Sequence, residues 1–315
     1  MAKVWTTEQL ITEVRRIGAF NDVASDGKAD ADIINALDLV MMDEMLPTLI
    51  SVQEEYLIRT KTVTTTANQE FVDIPAQAVA NSIRDVWWSD ANGEQRQIIP
   101  RINREHRAYY GTTSADYPQG IYVEGDHIVM VPKSTGGQSI NIAYMQRPGQ
   151  FVQSTAYRKV VSVDSTTAVT VDSTVPTAWT TANTFDVHSS KSGAETRLFG
   201  YSASVVSGTG ITFSALIDGT VDNTFAVEVG DYVVLEETAA VPGLPRELHP
   251  VLAQAAACRL LESDGDAVAL EIARQTLGRQ LKSFTKMAET RIEGKPHKIV
   301  NPNSFLSRQG TRGGW

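Results

Sequence analysis

The residue types able to do acid–base or metal chemistry are present in this chain, but their spacing keeps them apart. The five histidines, His106, His127, His188, His249 and His297, fall in separate segments. None stands at metal-ligand spacing from another histidine or from Cys258. Asp22, Asp26, Asp30 and Asp32 have the density of a calcium loop. Counting from Asp22, however, places Ala24 at the third position and Ile33 where a bidentate Glu is needed. They read instead as a polar loop and a helix cap, and Asp264 and Asp266 as a helix break and the next cap. Ser207-Gly-Thr-Gly210 precedes a β-prone segment rather than a helix, so no helix dipole backs a phosphate site there. There is no G-x-S-x-G elbow and no P-loop. Cys258 is the only cysteine, which rules out an intrachain disulfide. Within Ala255-Ala-Ala-Cys258 it reads as a small buried helix residue. The expectation is a non-enzymatic protein with no catalytic, metal or cofactor site.

Composition supports a folded body. Of 315 residues, 42% are hydrophobic and 21% charged, the balance of a globular chain with room for two or three domains. The net charge of −9 disfavours a surface that grips phosphate backbones. The charge is uneven: residues 1–58 hold eleven acids against four bases, and residues 151–244 ten against four. Beyond Glu293 there is no acid, while Lys295, Lys298, Arg308 and Arg312 add +4. An acidic body with a basic tip points to a tail made for a partner. Neither a signal-peptide core nor a run of membrane-spanning length is present, so no membrane contact and synthesis in a cytoplasm are expected.

Helical periodicity marks both ends of the chain. Thr6 with Gln9 forms a capping-box pattern ahead of Leu10, Ile11, Val14 and Ile17, which share one face. Ile33, Ile34, Leu37, Val40, Met41 and Met45 predict a second helix, which Pro47 should kink or end. Leu49-Ile50 and Tyr56-Leu57 resume the pattern. Near the other end, Leu244-Pro-Arg-Glu-Leu-His-Pro250 leads into an Ala-rich helix over Val251–Glu262. A long helix over Ala267–Glu293 follows, striped by Leu270, Ala273, Leu277, Leu281, Phe284 and Ala288.

Between the helical ends the period becomes two. Thr60–Thr66, Phe71-Val-Asp-Ile-Pro75, Ile83–Trp88 and Gln95–Ile99 read as strands, with a hairpin turn at Asp90-Ala-Asn92-Gly93. Trp87 and Trp88 must face opposite sides of their strand, one toward a core and one toward an edge or interface. Tyr117–Pro148 reads as a three-stranded meander turning at Gly125 and at Gly136-Gly137. Residues 151–243 alternate at Val160–Val163, Val169–Val171, Phe185–Val187, Ile211–Phe213 and Val233–Leu235, the pattern of a small barrel or sandwich.

The predicted class is therefore α+β. A helical bundle built from both chain ends carries an inserted antiparallel β sheet and a second small β-barrel or sandwich module. Its parts are 1–58 (N-terminal helices), 59–150 (antiparallel β region), 151–243 (inserted β module), 244–293 (C-terminal helices) and 294–315 (extended arm). The arm has isolated apolar residues, Ile299, Val300, Phe305, Leu306 and Trp315, and cannot make a core of its own. Trp315 behind Gly313-Gly314 suits an anchor in a neighbour's pocket.

This order of features resembles the head-to-tail adaptor (connector, or neck) proteins of tailed bacteriophages. The resemblance rests on the N-terminal helical pair, Phe71-Val-Asp-Ile-Pro75, and Tyr117-Pro118…Gly120-Ile-Tyr-Val…Ile128-Val-Met-Val-Pro132. It continues with Tyr144-Met-Gln-Arg-Pro148 and the Leu244–Pro250 lead-in to an Ala-rich helix. It covers most of 1–150 and 244–293, and residues 151–243 depart from it. It implies a virion structural protein of the neck, forming a homo-oligomeric, usually dodecameric, ring beneath the portal. Such a ring binds portal and tail or neck proteins and extends a DNA channel through which the genome passes without sequence-specific binding. The portal-docking arm would comprise Lys295, Lys298, Ile299, Val300, Phe305, Leu306, Arg308, Arg312 and Trp315. A second reading is a β-rich tail or baseplate component that binds a glycan or protein through 151–243, with Tyr157, Trp179 and Tyr201 as stacking platforms.

Overall fold

A computed structural model describes residues 4–20, 28–53, 55–89, 95–110, 114–191, 196–219 and 225–288. The chain opens with α1 (Thr7–Gly18), in which the Thr6 N–H donates to Gln9 Oε1 at 3.2 Å, one arm of the expected capping box. Next comes α2 (Asp30–Val40), which runs through a π-helical turn at Met41–Met45 into α3 (Leu46–Val52). Pro47 was expected to kink or stop the helix. It sits instead in the first turn of α3, where its missing N–H costs little, and the widened turn before it takes up the misfit. Tyr56 and Leu57 fall in a turn rather than a helix, because α3 ends at Val52.

Two further helices follow the β regions: α4 (His249–Asp264) and α5 (Ala267–Ala288). Eleven of the sixteen residues of α4 are buried, because α1, α2 and α5 all pack against it. Ala253, Ala255, Ala256 and Ala257 allow these close approaches. One buried cluster draws Leu10, Ile33, Leu37 and Met45 from the N-terminal part and Leu248, Leu252, Ala256 and Phe284 from the C-terminal part.

The strands before residue 150 are β1 (Ile58–Thr64), β2 (Phe71–Asp73), β3 (Ala78–Ser89), β4 (Gln95–Ile98), β5 (Gly120–Glu124), β6 (His127–Val131) and β7 (Ser139–Gln146). They form two antiparallel sheets, ordered β1-β7-β3-β4 and β2-β6-β5, rather than the one inserted sheet expected. The meander is thereby corrected. β5 and β6 pair as read, but β7 leaves them and lies between β1 and β3. Alternation had shown which side chains of β7 face inward and could not show which strands flank it. Val72, Ile121, Ile128 and Met130 from one sheet meet Val86, Ile140, Ile142 and Tyr144 from the other in a shared core. Trp88 packs on that core and stacks on Tyr117, ring centroids 4.9 Å apart, while Trp87 lies half-buried on the other face.

Gly136 makes the crossing between sheets possible. Its φ is +96°, and a Cβ there would stand 2.6 Å from the Ala67 nitrogen. Gly136→Ala is expected to cost more than about 1 kcal/mol, read as a lowered thermal midpoint. An unchanged midpoint would mean that this approach is not required.

Two-residue strands β8 (Gln150–Phe151) and β15 (Thr238–Ala239) pair in parallel where the chain enters and leaves the last β unit. That unit contains β9 (Arg158–Val163), β10 (Ala168–Val171), β11 (Thr184–His188), β12 (Thr196–Ser207), β13 (Gly210–Phe213) and β14 (Tyr232–Leu235). They close into a six-stranded barrel ordered β10-β13-β12-β11-β14-β9. Its centre is aromatic: Phe185 meets Trp179 and Phe213 edge-on, with centroids 5.3 and 6.4 Å away. The sequence pattern marked every barrel strand but β12. There Gly200, at φ +58°, interrupts the alternation with an irregular register against β11.

Candidate assembly surfaces

The predicted docking residues, Lys295, Lys298, Ile299, Val300, Phe305, Leu306, Arg308, Arg312 and Trp315, lie outside the described residues, as do Asp22, Asp26, His297 and the Asp90–Gly93 turn. The described part of α5, through Ala288, leads toward that arm. Its stripe faces inward as read: Ala273 and Phe284 are buried, and Leu270, Leu277 and Leu281 partly so.

The scattered histidines take separate structural posts. His127 is exposed at the start of β6, with Nδ1 2.7 Å from Asp73 Oδ1. His106 packs edge-on against Tyr109. His188 is held by Thr196 Oγ1 at 3.1 Å and the Thr238 carbonyl at 3.0 Å, and burial pushes its pKa down. His249 is fully buried and joins the two chain ends: Trp5 N–H donates to its Nδ1 at 3.2 Å, and its Nε2–H donates to the Leu244 carbonyl at 3.2 Å. Cys258 is buried against Leu261 and Ala273. Among the described residues, no three His, Cys, Asp or Glu stand together as a possible metal site, and no described helix is long and apolar enough to cross a membrane.

The aromatics offered for glycan stacking are occupied elsewhere. Trp179 is 5% exposed inside the barrel. Tyr201 meets Phe213 edge-on, and Tyr157 meets Tyr232 at 90°.

Polar side chains instead join the barrel to the rest of the molecule. Gln77 Nε2 donates to Glu236 Oε1 at 2.8 Å, and the Arg59 guanidinium lies 5.2 Å from the centre of the Phe199 ring. Asp38 on α2 accepts the Phe151 N–H at 2.8 Å, and Thr7 N–H on α1 donates to the Ala240 carbonyl at 3.0 Å. Burial raises the Asp38 carboxyl to about 6, against the lowering effect of that N–H. Asp186 points away from the barrel core into this joint, where it accepts N–H bonds from Gly200 at 2.7 Å and Glu237 at 3.2 Å. Burial pushes its pKa up to about 7. A cavity of about 110 Å³ lies beside it, lined by Gln77, Arg147, Pro148, His188 and Glu237. Nothing in the sequence marks Asp186, because an acid on the outer face of a barrel strand has the pattern of a solvated residue until another unit covers it.

A family model described as SU10 adaptor protein matches residues 5–182, more than half of the chain. The chain belongs to this family. SU10 adaptors are phage head-to-tail adaptors, so this is a structural protein of the phage virion that works with other head and tail proteins. The SU10 adaptor match takes in α1 to α3, the paired sheets and the first two barrel strands. It ends before β11 and does not reach the Leu244–Pro250 lead-in, although α4 completes the core that α1 and α2 begin. No curated protein matches the chain.

Proposed function

We propose that this SU10 adaptor forms a ring, dodecameric in the usual manner of such adaptors, beneath the portal in the neck of the virion. The observation that carries the reading is the adaptor-family match over residues 5–182. In this proposal 1–58 and 244–293 work as one helical bundle, 59–150 as the antiparallel β region, and 151–243 as an inserted module presented to tail or neck proteins. The arm, 294–315, docks into the portal. Its charge supports that role: a +4 segment without acids follows a body that is acidic overall. Ordering such a segment on a partner has an entropic cost, which the apolar residues Ile299, Phe305, Leu306 and Trp315 would offset on burial. An acidic lining would let DNA slide through the channel, since basic contacts would hold the phosphates. The protein has no catalytic role in this reading and is made in the host cytoplasm.

Truncation after Glu293 tests the arm. The shortened chain is expected to keep its thermal midpoint and to lose attachment to portal-bearing heads. Normal docking by the truncated chain would sink the assignment. Electron microscopy of the neck tests the ring, since a trimeric rod in its place would refute the class. The alternative, a β-rich tail or baseplate component that binds a glycan or protein through 151–243, loses Trp179 as a stacking platform, since that ring lies inside the barrel.

A further inference from the structure

Two helical faces of this chain are left open, and they are complementary. On α5, Val268, Ile272, Gln275, Arg279, Lys282 and Lys286 follow one another at three- and four-residue steps, which places them on a single stripe. That stripe is opposite the buried line of Ala273, Leu277 and Phe284. Val268 and Ile272 are 74% and 62% exposed, a large apolar area for the solvent side of a helix. Lys282 and Lys286 form no ion pair with another described residue. The stripe thus has an apolar half and a cationic half.

The second face lies on α2 and the π-helical turn. Asp32, Asn35 and Leu39 are exposed there, Leu39 by 48%, with Met42 half-buried on the same side. Asp32 forms no ion pair with another described residue. The two faces are separate surfaces of the body. α2 and its turn meet α4 at Arg259, whose Nη1 is 3.1 Å from Asp43 Oδ2. α5 meets α4 at Gln254, Cys258 and Leu261, with Gln254 Nε2 donating to the Ala273 carbonyl at 3.2 Å.

We propose that the α5 stripe of one copy docks on the α2 face of the next, so that a second copy of this chain is the occupant of both faces. The inference rests on the ring reading above and names the surfaces that close the ring. Charge decides the pairing. A parallel contact of α5 with α5 sets lysine on lysine, and an antiparallel one sets the cationic half on the partner's apolar half, so the full stripe has no complementary pairing with itself. The α2 face of a neighbour, run antiparallel to α5, offers Leu39 and Met42 to Val268 and Ile272 and Asp32 to Lys282. A contact between unlike faces repeats head to tail, and such contacts close into rings when the rotation permits. The chain's own arm is a poor occupant of the α5 stripe, since Lys295, Lys298, Arg308 and Arg312 would meet like charge.

Cysteine cross-linking in assembled phage particles tests this. Particles would carry Leu39→Cys with Ile272→Cys in the full chain, treated briefly with a short bifunctional maleimide. The buried native Cys258 is controlled for by unsubstituted particles. The double variant is expected to give a ladder of dimers, trimers and higher species, and each single variant none above background, because like faces never meet. Dimers from either single variant would overturn the pairing. So would the absence of a ladder from particles whose necks still show a ring, and in that case the ring reading stands. A ladder from necks that show no closed ring would keep the surfaces and sink the ring. Should the first pair fail to assemble, Asn35→Cys with Gln275→Cys puts the same question to neighbouring positions, with the same outcomes.

Discussion

Replacing Asp231 by alanine is expected to destabilise the barrel by roughly 3–5 kcal/mol. Asp231 is fully buried at the turn into β14. Its Oδ1 accepts the Ser190 N–H at 3.0 Å and its Oδ2 the Glu228 N–H at 2.9 Å, and Arg197 Nε lies 3.4 Å from Oδ2. The Arg197 side chain is itself only 9% exposed. The alanine variant therefore leaves a buried guanidinium without this carboxylate, and two backbone donors without acceptors. Glu228 stands 3.8 Å from Arg197 but is 40% exposed, so solvent screens what it can replace. Asp231→Asn keeps the shape and one acceptor and should lose less. Urea denaturation followed through Trp179, which lies in the barrel core, reads the effect. A loss below about 1 kcal/mol, the range of an exposed pair, would show that the pair is not needed for closure.

The second large effect is acid loss of stability at His249. Burial lowers its pKa from the ordinary 6.5 to about 4. The geometry explains the direction: Nδ1 already accepts from Trp5 N–H, so a proton added there would face a donor. The folded state therefore binds this proton less readily than the unfolded state. Stability from the neutral ring is fully present above pH 6.5 and is lost as pH falls toward 4, by about 3 kcal/mol in all. Asp186 acts the other way. Its raised pKa makes its contribution largest at low pH, and that contribution declines as pH rises through about 7. The wild-type profile is a sum of opposed slopes, so the variant must be compared with it. His249→Gln, which can still accept and donate, is expected to lose the His249 part of the acid drop, keeping the smaller part due to buried His188 and the opposed slopes of Asp186 and Asp38. Denaturation free energies at pH 7 and 4.5 would then change differently in the two proteins. Parallel profiles would refute the role given to His249.

Much of the architecture was legible in the residues. The capping pattern at Thr6 and Gln9, the apolar faces of α1 and α2, the Ala-rich α4 and the inward stripe of α5 all follow from periodicity within one helix. The same holds for the inward residues of β9, β10, β11, β13 and β14, which alternate in the sequence as they do in the barrel. The misses share a cause. β12 was hidden by Gly200, and the parallel contact of β8 with β15 is too short to leave a pattern. The continuation of the helix past Pro47 depended on a π-helical turn, whose widened geometry no local propensity records. For the proposed arm, composition spoke where the described residues do not reach.

What the sequence determined alone was the type and facing of most elements, the acidic body with its basic tip, and the separation in sequence of groups that could do chemistry. These properties depend on neighbouring residues or on simple sums, so they can be read before folding. The tertiary structure decided which strands flank β7, that the strands before residue 150 make two sheets rather than one, and that the second β unit closes as a barrel. It also decided that Asp186, Asp231 and His249 are buried and that the α5 and α2 faces are left open. Strand pairing and burial are set by surfaces contributed from far along the chain. A period of two reports which way a side chain points, and only the covering element decides whether it meets water.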